Sequence, residues 1–157
     1  MLLVGAAVAR GQLSASLETG RIEGLIHRYD LDNHVLALSH RNDPEVLYRV
    51  CDLTVLLSLY EGTPNVVLES LACGVPAVVA DVPGCREMAT LCPSIRTFES
   101  GNVDALVSAL ERIHRQRSLL PDLGRLGREQ VNQHFSDERM LTGFAALYTA
   151  LANDDPA

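Results

Sequence analysis

Short runs of consecutive apolar residues recur along the first two thirds of this chain, bounded by glycine, proline or polar residues. Runs of this length and flanking predict β-strands. Five strands are predicted: Leu2–Val4, Val35–Leu38, Leu53–Leu57, Ala77–Ala80 and, as a weak edge strand, Ile95–Phe98. The fourth run is apolar throughout and the third is interrupted only by Thr54, which is typical of strands that are covered on both faces.

Between and after these strands, apolar residues recur every three to four positions, which predicts helices. Asp43-Pro44 and Thr63-Pro64 each read as a cap followed by a first-turn proline. Gly74 is predicted to end the second of these helices, and Pro83-Gly84 to form a turn. The other predicted helices are Ser14–Tyr29, Val103–His114 with a stripe of Val103, Leu106, Val107, Leu110 and Ile113, Asp122–Phe135, and a last helix that is capped by Ser136 and ends near Ala152.

Strands that alternate with helices predict an α/β fold with a parallel, doubly wound, Rossmann-like sheet. The length corresponds to one domain, 1–157, and 47% of its residues are hydrophobic, which is enough for a sizeable core. Folds of this class bind ligands at the carboxyl ends of their strands.

Charge and cysteine spacing exclude several classes of function. The formal net charge is -7, which argues against non-specific nucleic-acid binding, and all 13 basic residues are arginine, which excludes lysine chemistry in this chain. The four cysteines match no CxxC or zinc spacing, so we expect free thiols in a reducing compartment and no metal site. Without a signal-peptide pattern or a membrane-length apolar run, the expected location is cytoplasmic.

The segment Glu61–Asn65 is predicted to connect a buried strand to a helix, and so to lie at the carboxyl edge of the sheet. Unpaired N–H groups in the first turn of that helix favour an anion such as a diphosphate. Gly62 would let a ligand approach the backbone closely, and Glu69 could accept hydrogen bonds from vicinal hydroxyls. A nucleotide-sugar site is the leading hypothesis.

Spacing alone leaves other interpretations open. Glu61 and Glu69 are two of 20 acidic residues and could be solvated surface carboxylates. Gly84, in the next loop at the same edge, could make room for a ligand or belong to a plain turn. His40 and Arg41 follow another strand at this edge and could line a base pocket.

The stretch from Asp52 to Met88 closely resembles the carboxyl-terminal half of retaining glycosyltransferases of family 4, which have the two-domain GT-B fold. That family carries two glutamates separated by seven residues, as Glu61 and Glu69 are. Its wider pattern, PSxxEGxPNxxLEAxAxGxPVVAxxxGGxxE, is also matched at Ser58, Gly62, Pro64, Asn65, Leu68, Ala72, Gly74, Pro76, Gly84 and Glu87. The resemblance extends over most of the chain.

The resemblance implies a role for each matched residue. Glu69 would hold the ribose hydroxyls of the donor, and Glu61, as the catalytic residue, would contact hydroxyls of the transferred sugar. The remaining donor-binding residues would be Gly62, Thr63, Pro64, Asn65 and Gly84, with Ser39, His40 and Arg41 beside the nucleobase. The implied reaction is hexosyl transfer with retention from a nucleoside diphosphate sugar, such as a UDP- or GDP-sugar, without a cofactor or a metal.

Two parts of the family's pattern have no counterpart here: the N-terminal acceptor domain, and the first strand of the donor domain with its Gly-Arg and Lys-Gly segment. In the strand order 3-2-1-4-5-6 that first strand is central, so Leu2–Val4 and Leu53–Leu57 would each lose a neighbour. The last helix, with Leu141, Phe144, Leu147 and Tyr148, would expose an apolar face. We therefore expect the donor-binding part of a longer enzyme, inactive by itself.

The expected partners are a nucleotide-sugar donor, an unspecified acceptor (a saccharide, a lipid or a small molecule) and the missing N-terminal domain, in cis or in trans. No nucleic-acid partner is expected, and the full enzyme could associate peripherally with a membrane. The alternative function is a non-catalytic nucleotide-sugar-binding module, or half of a split enzyme that needs a partner chain.

Overall fold

Residues 2–4, 12–38 and 42–153 are described by the computed structural model, and they belong to two compact units, Met1–Pro44 and Glu45–Ala157. In the first unit, β1 (Leu2–Val4) and β2 (Leu36–Leu38) pair in parallel, with Leu2 opposite Leu36, and α1 (Gln12–Arg28) connects them. Both predicted strands and the predicted helix are therefore confirmed. A single domain over 1–157 stays a prediction.

The second unit alternates strands and helices and then continues as helices only. A short 3-10 turn at Arg117–Leu119 separates the last strand-flanking helix from the two that follow. The elements are α2 (Pro44–Tyr48, which begins at the boundary), β3 (Thr54–Leu56), α3 (Asn65–Ala72), β4 (Ala77–Ala80), α4 (Pro83–Leu91), β5 (Ile95–Phe98), α5 (Val103–Arg115), α6 (Leu120–His134) and α7 (Asp137–Asn153).

The three strands of this unit form a parallel sheet in the order β3-β4-β5, with Ala77 opposite both Thr54 and Ile95. The central strand β4 is buried along its whole length, as its unbroken apolar run predicts. Helices flank this sheet, so the predicted α/β class is confirmed. Within the described ranges, β1 and β2 form a two-stranded sheet, and β3, β4 and β5 form a separate three-stranded sheet.

The core of the second unit lies where the helices cover β4. Side chains such as Leu71 and Val67, which have no solvent exposure, each contribute about 2 kcal/mol through burial. The other fully buried contributors beyond the strands include Cys85 and Met88 of α4 and Cys92 after it. All four cysteines are free, and Cys51 and Cys73 are partly exposed.

Two expectations about this sheet were wrong. The Leu53–Leu57 strand is not covered on both faces, because Val55 and Leu57 are exposed, whereas Thr54 and Leu56 are half-buried. Pro83-Gly84 is not a turn, because Pro83 occupies the first turn of α4. A proline is tolerated there since that N–H would have no partner within the helix.

The buried face of α5 differs from the apolar stripe that the sequence predicts. Val103 is 71% exposed and Val107 is also exposed, whereas Ala109 is 5% exposed. The face that packs on the core consists of Ala105, Leu106, Ala109 and Ile113. Alanine has no side chain beyond Cβ, so this face can lie closer to β5 than a face of valines could.

The carboxyl end of α3 is held against α6. Gly74 has φ +81°, and the N–H groups of Gly74 and Val75 donate to the carbonyls of Leu71 and Ser70, which is a Schellman motif. The guanidinium of Arg128 donates to the carbonyls of Ala72 and Cys73, both at 2.9 Å. A Cβ on Gly124 would overlap the Gly74 carbonyl, so glycine is needed for this close approach.

Replacement of Arg128 by alanine is expected to lower the free energy of unfolding by about 1 kcal/mol. The variant loses two charge-assisted hydrogen bonds to helix-end carbonyls, in an exposed position where water partly replaces them. Urea unfolding followed by circular dichroism measures the change. Arg125→Ala is the matched control, since its exposed pair with Glu129 should contribute less than half of that amount. Equal midpoints for the two variants would contradict the prediction.

The last helix, α7, begins as predicted, because the Ser136 hydroxyl accepts a hydrogen bond from the N–H of Arg139. Its apolar residues are exposed, as expected, and they include Leu141, Phe144, Leu147 and Tyr148. Among the helices that the structure describes, none combines the length and the apolar character needed to cross a membrane.

Candidate functional site

The segment that joins β3 to α3 lies at the carboxyl edge of the parallel sheet, as the sequence predicts. Most of it is open to solvent: Gly62, Thr63 and Asn65 are exposed, Glu61 is half-buried and Pro64 is buried. The buried proline anchors the segment while its neighbours remain accessible. A ligand could therefore reach the backbone and side chains of this segment from solvent.

Helix α3 begins without a side-chain cap. The N-cap residue is Pro64 rather than Thr63, and no side chain bonds to the first N–H groups, so the predicted capping role of Thr63 was wrong. The Pro64 carbonyl already accepts from the N–H of Val67 and Leu68. The N–H groups of Asn65 and Val66 thus face outward at the positive end of the helix, where an anion is favoured.

Glu69 lies on α3 just over one turn after Asn65, and it is exposed. Its Oε2 accepts a hydrogen bond from the hydroxyl of Tyr48 at 3.2 Å. That hydroxyl is also 3.1 Å from the carbonyl oxygen of Val66. The structure therefore adds to the site a residue, Tyr48, that the sequence argument did not include.

The backbone of Glu61 lies beside the first turn of α4, next to Gly84. Burial, followed by the nearby carboxylates of Glu61 and Asp81, raises the pKa of the Cys85 thiol, so this thiol stays protonated and unreactive. Within the described ranges the Glu61 carboxylate has no hydrogen bond or ion pair with another residue. A half-buried carboxylate in this state can accept hydrogen bonds from hydroxyl groups of a ligand.

Gly62 and Gly84 differ in their surroundings. A Cβ on Gly62 would meet nothing within 4 Å, so the space above it is open to a ligand. A Cβ on Gly84 would overlap the Gly62 carbonyl and lie 2.7 Å from the Glu61 carbonyl oxygen. The space expected beside Gly84 for a ligand is therefore filled by backbone, and this glycine lets the Glu61–Gly62 segment pack on α4.

Charged groups near this edge are mostly acidic. Arg86, at the start of α4, donates to Asp81 at 2.8 Å. Ser39, His40 and Arg41, expected near the nucleobase, lie outside the described residues. In the part of the chain that is described, no group of three His, Cys, Asp or Glu side chains could hold a metal ion. Carboxylates and backbone N–H groups thus set the chemistry of this edge, which suits hydroxyl recognition.

A pocket of about 700 Å³ occurs at the opposite edge of the same sheet. It is lined by residues that precede β3 and β4, among them Asp52 and Pro76, and by Arg117 and Leu120 before and at the start of α6. Parallel sheets bind ligands at the carboxyl ends of their strands, so this pocket is not the leading candidate.

Comparison with known proteins identifies the family of this chain. A family described as "Glycosyl transferases group 1" matches residues 4–130. N-acetyl-alpha-D-glucosaminyl L-malate synthase of Bacillus anthracis is 26% identical over 131 residues, which cover 83% of this chain and 34% of that protein. The capsular polysaccharide biosynthesis glycosyltransferase CapM of Staphylococcus aureus is 24% identical over 77% of this chain and 32% of its own length. The chain therefore spans about a third of these relatives.

Solved structures show the same fold. Sucrose-phosphate synthase of Thermosynechococcus elongatus has a TM-score of 0.83 and 28% identity, over 98% of this chain and 39% of that one. The Anabaena protein HepE, solved in complex with UDP, has a TM-score of 0.81 over 95% of this chain and 40% of its own. At 22% identity, the second likeness shows the fold alone.

Proposed function

We propose that this chain, which belongs to the glycosyl transferases group 1 family, is the donor-binding part of an enzyme that transfers a sugar from a nucleoside diphosphate sugar to an acceptor. The observation that carries the proposal is the arrangement at one sheet edge of two accessible carboxylates, Glu61 and Glu69, around the uncapped start of α3. Carboxylates suit the hydroxyls of ribose and of the transferred sugar, and the helix start suits the diphosphate.

Each proposed role is the one that the family resemblance implies for its residue, and the position of that residue supports it. Glu69 accepts from the ribose hydroxyls, and Glu61, the catalytic residue, accepts from hydroxyls of the transferred sugar and orients it. The donor approaches over Gly62, where the structure leaves open space. The backbone N–H groups of Gly62, Thr63 and Asn65 face the diphosphate, and Gly84 contributes by holding this segment in place.

Departure of the diphosphate is the step that these N–H groups would assist. Negative charge grows on the leaving oxygen as the glycosidic bond breaks, and fixed dipoles aimed at that oxygen stabilise it without reorganising. The reaction class stays as the sequence predicts: family 4, hexosyl transfer, and retention of configuration, from a UDP- or GDP-sugar. An acceptor that is a saccharide, a lipid or a small molecule also stays a prediction. So do the cytoplasmic location and the lack of turnover by this chain alone.

Nitrogen-15 chemical-shift titration with UDP and GDP tests the proposal. We expect a Kd on the order of 1 mM, weak because Arg86 is already paired with Asp81 and the carboxylates of Glu61 and Glu69 would repel a diphosphate. The shifted amides should belong to residues 61–69. Shifts confined to residues around the pocket at the opposite edge, or none at saturating nucleotide, would contradict the proposed site.

A further inference from the structure

The Glu69 carboxylate is the exposed end of a long, flexible side chain. Such a side chain loses rotamer freedom when a ligand requires one geometry, and that loss weakens binding. A second residue that already holds the carboxylate reduces the loss, because the site is then organised before the ligand arrives.

Tyr48 is placed to do this. It ends α2, is 8% exposed, and its ring is fixed by burial. Its hydroxyl bridges two points of α3, the carbonyl oxygen of Val66 at 3.1 Å and Oε2 of Glu69 at 3.2 Å. A carbonyl and an ionised carboxylate only accept hydrogen bonds, so the single proton of the tyrosine hydroxyl is shared between the two oxygens in a bifurcated hydrogen bond.

The hydroxyl keeps its proton at neutral pH. Burial, followed by the negative charge of Glu69 and the hydrogen bond to it, raises the pKa of Tyr48 far above its ordinary value. The donor to Glu69 is therefore present throughout the neutral range. In the described part of the chain, no other side chain or backbone group bonds to this carboxylate.

We infer that Tyr48 is a positioning residue whose hydroxyl fixes Oε2 of Glu69, so that Oε1 is presented to a vicinal diol. The inference rests on the proposed function, since the diol it names is that of the donor ribose. Tyr48 itself is buried beneath the carboxylate and acts on the ligand only through Glu69.

The first test compares two probes, UDP and dideoxy-UDP, which lacks both ribose hydroxyls. Tyr48→Phe keeps the ring and its packing, and we expect it to weaken UDP binding about fivefold, equivalent to about 1 kcal/mol, without changing the affinity for dideoxy-UDP. Tyr148→Phe, which removes a hydroxyl from the exposed helix α7, should leave both affinities unchanged. Equal weakening for both probes, or no weakening, would overturn the inference.

The second test needs no ligand. NMR relaxation of the glutamate side chains should show Glu69 ordered in the wild type and mobile in Tyr48→Phe, while Glu138, exposed on α7, is mobile in both. Unchanged order of Glu69 would overturn the inference. If the wild type bound no nucleotide, the proposed function would fail, and this measurement alone would still decide whether Tyr48 positions the carboxylate.

Discussion

Replacement of Glu69 by alanine is expected to weaken the binding of UDP or GDP by roughly 30-fold, through loss of charge-assisted hydrogen bonds to ribose. The fold should survive, because Glu69 is exposed and the Tyr48 hydroxyl keeps its second acceptor, the Val66 carbonyl. Chemical-shift titration measures the change. The wild type and Glu69→Ala should bind dideoxy-UDP with equal affinity, because this probe has no ribose hydroxyls for the carboxylate to recognise.

A matched control is Glu138→Ala, which removes an exposed helical carboxylate from α7 and should leave nucleotide affinity unchanged. Glu69→Gln should fall between the wild type and the alanine variant, because an amide oxygen accepts more weakly than a carboxylate. An unchanged affinity in Glu69→Ala would remove ribose recognition from this residue, and with it the main support for a nucleotide site on α3.

Local patterns were sufficient to predict much of this fold. The unbroken apolar run of Ala77–Ala80 predicted a strand buried on both faces, and β4 is that strand. Gly74 was predicted to take the left-handed conformation at a helix end, and its φ of +81° confirms this. These features depend on residues that are close in sequence, so a short window contains the information that determines them.

The features that sequence did not predict depend on distant segments. Val55 reads as buried, yet it is exposed, because burial depends on which distant segments pack on its face of β3. Tyr48 precedes Glu69 by 21 positions, and their contact follows only from the packing of α2 on α3. For Gly84, the sequence indicated that the missing side chain makes room, but only the structure shows that backbone fills that room.

Substitution of alanine for Gly84 is expected to be the most disruptive single-methyl change at the site. The new Cβ would overlap the Gly62 carbonyl and press on that of Glu61, so either the Glu61–Gly62 segment or the start of α4 must move. We expect a loss of roughly 3 kcal/mol in the free energy of unfolding, the upper range for overpacking. Because the displaced segment carries the proposed sugar and diphosphate contacts, nucleotide binding should become undetectable even where the variant is still folded.

Gly143→Ala is the matched control. It distinguishes the general effect of replacing a glycine by alanine from the steric clash at Gly84. Gly143 lies within α7, where a Cβ would meet nothing within 4 Å, so alanine should stabilise the helix by about 1 kcal/mol and leave binding intact. Urea unfolding and nucleotide titration of both variants give the comparison. A Gly84→Ala protein with wild-type stability and affinity would show that the segment tolerates displacement, and that its contact with α4 does not hold Glu61 in position. A Gly84→Ala protein that keeps its stability but loses nucleotide binding would show that the contact between α4 and the Glu61–Gly62 segment is needed for binding and not for folding.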